Sequence, residues 1–185
     1  MRKEDADAGF TLLDSLMSMV VMTLVMAIST SGILAMHRTA NRVDATSFAQ
    51  TQISIALQRL DRQIRYAVGI SQEYGSGQYV DFLTVQQGQR RCVQLRVAGG
   101  VLAQRTWTYQ QSPPVLSAWT PLATNVTGST PFTYVAPSAT LGFQQLRVSL
   151  FVTANSGREA NTAVFTAMNS SRTSGNDYCR AARTL

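Results

Sequence analysis

Histidine is nearly absent from this 185-residue chain, with His37 as its only representative. One imidazole cannot supply both a general base and a metal site, and no His-Glu-x-x-His, phosphate-cradling glycine loop or Gly-x-Ser-x-Gly elbow occurs. The two cysteines, Cys92 and Cys179, lie far apart and match no zinc spacing. Asp81, Glu159 and Asp177 are too scattered to read as a catalytic carboxylate pair, and no Asp/Asn cluster has the density of a calcium loop. The expectation is a protein that is not an enzyme, with no metal, no cofactor and no small-molecule substrate. Proline is missing before Pro113, and all five prolines fall within 110–140, so nothing interrupts a helix in the first third of the chain. Charge is scarce in one place above all: Asp14 is the only charged residue from Phe10 to Met36.

What is present is therefore unevenly spread. A charged head, Met1–Ala8, precedes Gly9, then an apolar run, then a polar body. A secretory signal places its cleavage site after the apolar stretch; here the glycine comes before it. Phe10–Met36 would extend roughly 40 Å as a helix, enough to cross a hydrocarbon core of about 30 Å. Asp14 stands out within it, because a carboxylate at full depth costs about 2.5–3.5 kcal/mol on insertion scales. The basic residues are 15 arginines and Lys3 against 10 acids. Without residues 1–9 the side-chain charge is about +7, a balance compatible with a solvated surface or with anionic partners.

The segment Gly9-Phe10-Thr11-Leu12-Leu13-Asp14-Ser15-Leu16 resembles the class III signal of type IV pilins and type II secretion pseudopilins. The resemblance implies cleavage between Gly9 and Phe10 by prepilin peptidase, with N-methylation of Phe10. It also gives Asp14 a role in filament assembly, pairing with the new amino group of a neighbouring subunit. A charge expensive alone in lipid would be offset by that pairing. The family usually carries Glu at this position; Asp keeps the charge and shortens the reach by one methylene. Ala56-Leu57-Gln58-Arg59-Leu60-Asp61-Arg62-Gln63-Ile64-Arg65-Tyr66-Ala67 is similar to the late helix of minor pilins and J-type minor pseudopilins.

Four regions follow: a leader over 1–9, a membrane-spanning helix over 10–36, its amphipathic continuation over 37–68, and a sheet domain over 69–185. Ala49, Ile53, Leu57, Leu60, Ile64 and Val68 recur at spacings of three or four and form one apolar stripe, with Gly69 as the stop. The period then changes to two. Tyr79–Val85, Cys92–Val97 and Leu102–Tyr109 read as a meander joined at Gln87-Gly88-Gln89 and Ala98-Gly99-Gly100. The Pro/Ser/Thr-rich stretch 110–140 reads as long loops, and Leu146–Val152 with Thr162–Met168 as a further hairpin. The fold class is α+β, a long N-terminal helix packed on an antiparallel sheet. In an exported protein Cys92 and Cys179 can pair, closing a loop worth about 4–5 kcal/mol; the alternative is two free thiols, one buried in a strand. Trp107, Tyr109 and Trp119 with Arg105 form either a binding face or, for the tryptophans, core packing and loop anchoring.

The functional expectation is a minor type IV pilin or pseudopilin, a structural or initiating subunit. Its partners would be prepilin peptidase, other pilin subunits, the assembly platform and membrane lipid. It would span the bacterial cytoplasmic membrane once, with its C-terminal domain outside the cytoplasm, and enter a pilus or pseudopilus after assembly. Two alternatives stay open: a DNA-binding or adhesive pilin, and a signal-anchored envelope protein that never polymerises.

Overall fold

A computed structural model describes residues 12–154, 157–173 and 175–183. The chain divides into two units, Met1–Asp44 and Ala45–Leu185. Helix α1 (Leu12–Arg65) contributes to both. In the first unit every described residue is helical, and each side chain from Leu12 to Asp44 is exposed.

In the second unit the end of α1 buries Ala49, Ile53, Ala56, Leu60 and Ile64, spaced four, three, four and four apart, so that one stripe enters the core. The helix stops at Arg65, three residues before the Val68 that the stripe had suggested, because Ala67–Ile70 forms strand β1. Its last turn is capped from the far end of the chain: Met168 N–H donates to the Arg65 carbonyl at 2.9 Å, and the Asn169 amide to the Tyr66 carbonyl at 3.3 Å. Carbonyls that a helix end leaves without partners are thus satisfied.

Strands β2 (Tyr79–Gln86), β3 (Gln89–Ala98), β4 (Val101–Thr108) and β5 (Thr120–Thr124) join β1 in a five-stranded antiparallel sheet of order β1-β2-β3-β4-β5. The β2–β3 turn carries Gln87 and Gly88 at φ 51° and 75°, and the β3–β4 turn Gly99 and Gly100 at φ 57° and 77°. Positive φ at both central residues matches the strand twist and makes these hairpins tight. Asn125, at φ 57°, then turns the chain out of β5 into β6 (Val126–Thr127), which belongs to a second sheet. There β6 and β7 (Phe132–Val135) pair with β8 (Gln144–Ala154), and β9 (Gly157–Ala167) pairs with β8 as well.

The stretch 110–140 is therefore not all loop. It supplies β5, β6 and β7, and prolines fit there because β5 is an edge strand, where the missing N–H of Pro121 breaks no central ladder. The two faces of the first sheet differ, as strand alternation dictates. Val80, Phe82, Val93, Leu95 and Leu102 join the α1 stripe and residues of the second sheet in the main core. Leu83, Cys92 and Trp107 face the other way, under a cover formed by Cys179 and Ala182 of the C-terminal tail.

Candidate functional site

The first candidate is the exposed helix of the N-terminal unit. Gly9 and Phe10, the expected cleavage and methylation positions, lie outside the described residues. Asp14 sits in the first turn of α1. Asp14, Met17, Ser18, Val21, Met22 and Val25 share one helix face by their spacing of three and four. A window of this helix reaches a mean hydropathy of 2.1, long and apolar enough to cross a membrane. Three of its hydroxyls are turned inward: Thr23 donates to the Val20 carbonyl at 2.8 Å, Ser31 to Ile28 at 2.8 Å and Thr39 to Ala35 at 3.0 Å. Side chains bonded back to their own helix present little unsatisfied polarity to an apolar surrounding.

The second candidate lies on the face of the first sheet that the tail covers. Cys92 and Cys179 are joined by a disulfide across a separation of 87 residues. The bridge holds the tail beside β2 and β3, and a 3₁₀ turn (Arg180–Ala182) follows it. Next to it Arg183 Nε donates to Asp81 at 3.0 Å, and Arg183 Nη1 to Asp177 at 3.3 Å. Two of the three carboxylates that looked scattered in sequence, Asp81 and Asp177, thus share one guanidinium.

Asp81 is 0% exposed. Burial pushes its carboxyl above its ordinary value, while the Arg183 guanidinium, Gln94 and Tyr74 pull it part of the way back. A hydrogen-bonded chain runs outward from it. Tyr74 O–H donates to Asp81 Oδ1 at 3.1 Å, Gln94 Nε2 donates to the Tyr74 oxygen, and Arg105 Nε donates to Gln94 Oε1 at 2.5 Å. Burial, with the Asp81 charge next, raises the Tyr74 hydroxyl well above the usual phenol range. Burial lowers the Arg105 guanidinium.

Arg96 and Arg105 lie over the Trp119 ring, 4.0 and 4.7 Å from its centroid, and Arg183 lies 4.8 Å from that of Tyr74. Tyr74 also stacks on Tyr79 at 5.4 Å. These side chains surround a cavity of about 360 Å³. Of the aromatics singled out in the sequence, only Trp119 joins Arg105 here. Trp107 is buried beside the disulfide, and Tyr109 packs against the same cluster. Sequence reading missed Tyr74, Gln94 and Arg183. Tyr74 and Arg183 lie outside the strands and carried no periodic signal, and Gln94, alternating with Val93 and Leu95, read as a position on the outer face of its strand.

The fold defined by these elements is one long N-terminal helix followed by antiparallel sheet, of the α+β class. Among solved structures the chain is similar to a type IV-like pilin from Thermus thermophilus, at 10% identity and a TM-score of 0.49, covering 65% of this chain and 97% of that one. No protein-family profile matches, and neither does any curated protein.

Proposed function

We propose that the chain is a minor type IV pilin or pseudopilin, processed at Gly9–Phe10 and assembled as a non-enzymatic structural or initiating subunit. The observation that carries this reading is the register of three features: a glycine–phenylalanine junction, Asp14 in the first helical turn, and an apolar helix with every described side chain exposed up to Asp44. Such a surface needs a cover. Lipid supplies it before assembly and neighbouring helices supply it afterwards. Asp14 then pairs with the methylated amino group of an adjacent Phe10, so that a buried carboxylate is neutralised only in the correct packing. The body stays outside the cytoplasm, where a disulfide persists.

The test is the intact mass and N-terminal sequence of membrane-extracted protein from cells with and without prepilin peptidase. A chain beginning at methylated Phe10 only when the peptidase is present supports the reading. A chain that keeps residues 1–9 in both strains overturns it in favour of a signal-anchored protein.

A further inference from the structure

The filament reading leaves the cavity on the tail-covered face without a task. Its cationic walls are unusual in how their charge is held. Among the described residues, neither Arg96 nor Arg105 has a carboxylate within ion-pair distance. Arg183 is shared between Asp81 and Asp177, yet its Nη2 is buried without a hydrogen-bond partner. The pocket therefore carries a surplus of positive charge. Desolvated guanidinium N–H groups without acceptors are costly, and an anion supplies what they lack.

The aromatic rings narrow the ligand class. Trp119 is engaged by two guanidiniums, and Tyr74 by Arg183 and Tyr79. Arg105 already gives its Nε to Gln94 and, at 3.3 Å, Nη2 to the Ala182 carbonyl, so the donors left for a ligand are its remaining Nη N–H groups and those of Arg96. The protein thus uses its rings to orient cations, and hydrogen bonding to oxygen is the recognition mode that remains. Gln94, whose amide already joins Arg105 to Tyr74, ties one wall to the Asp81 network, so the donors are held before any ligand arrives.

We infer that this cavity is a binding site for a compact phosphate monoester, with its phosphate between Arg96 and Arg105 and a polar, sugar-sized body filling the rest. A phosphate monoester carries about −1.5 to −2 charges at neutral pH and matches two guanidiniums without carboxylates. A lone carboxylate leaves one of them unmatched. The volume of about 360 Å³ is at the small end of ligand pockets and is larger than a bare phosphate needs.

The probe is glucose 6-phosphate, titrated calorimetrically into the full chain in detergent micelles at low salt. The expected result is saturable binding with a Kd below about 1 mM, no binding of glucose, and weaker binding of inorganic phosphate. Arg96→Gln and Arg105→Gln should each weaken binding by about tenfold or more. Arg59→Gln, a change at an exposed helix position, should leave it unaltered. Thermal unfolding of each variant identifies any that misfold. Arg96, which has no hydrogen bond to the Asp81 network, is the safer of the two. Absence of saturation at about 10 mM ligand overturns the inference. So does an equal loss in Arg59→Gln, which would indicate only a diffuse positive field. Inorganic phosphate binding as tightly as the sugar phosphate removes the assignment of the sugar body. Tighter, Arg96-dependent binding of a single-stranded oligonucleotide would reassign the site to nucleic acid. The outcome is independent of leader processing, so failure here leaves the filament reading intact.

Discussion

Replacing both Cys92 and Cys179 by alanine should lower the stability of the body by about 4–5 kcal/mol. The magnitude comes from the unfolded chain: releasing a loop closed across 87 residues restores that much conformational freedom in the chain-entropy model. The folded state adds to it only if the tail lifts away. Several contacts oppose lifting: Ser71 donates to the Tyr178 carbonyl, Gln72 N–H to the Asn176 carbonyl at 3.0 Å, and Arg183 to Asp81. If they fail, Asp81 is left without its cation, a further loss of about 3–5 kcal/mol for a buried ion pair broken on one side. Asp81→Asn in the same background would then recover part of it. Trp107 is a built-in reporter, since it lies opposite Cys92 on β4 and is 4% exposed. Urea unfolding of the full chain in micelles, followed by tryptophan fluorescence, should show the midpoint falling, and the reduced wild type should behave like the double variant. A loss below about 1 kcal/mol would refute the argument, because the loop term alone exceeds it.

Three further outcomes are expected. Ile64→Ala removes a fully buried side chain where α1 meets the sheets and should cost about 2–5 kcal/mol in the same urea assay. Gly69→Ala places a Cβ 2.0 Å from Tyr178 Cε2, so the ring must move, and a loss of about 1–3 kcal/mol with a less protected disulfide is expected. Stability should fall as pH rises beyond about 10. Tyr74 has a raised value in the folded state, so the unfolded chain loses this proton first, and the contribution present below the unfolded value disappears as pH climbs toward the folded one. Tyr74→Phe should flatten this alkaline decline, and an unchanged slope between pH 9 and 11 would show that Tyr74 does not contribute.

Much of the fold was legible because local chemistry and final structure agree. Gln87-Gly88 and Gly99-Gly100 marked two tight hairpins, and the strands beside them lie where alternation put them. Strand β1 was hidden because Val68 extends the spacing of the helix stripe; only pairing of Ile70 with Phe82 decides the matter, and that contact is not local. Strands β5 to β7 were masked by prolines that an edge position tolerates. The isolated charge at Asp14 was plain in the sequence. The pocket was not, because its lining comes from separate segments: Gln94 and Arg105 meet across β3 and β4, and Arg183 joins them from the disulfide-held tail.

The same bridge sets the route of a mechanical load. Tension applied between α1 and the tail passes through β1, β2 and the first residues of β3, then crosses from Cys92 to Cys179. The 87 residues of separation, at about 3.3–3.6 Å each when extended, keep roughly 300 Å of contour out of the loaded path. Strands β4 to β9 lie within that sheltered length. Pulled along its helix, the chain would stretch by the short segment before Cys92 and then stop, and only reduction of the bridge would let the force reach the second sheet.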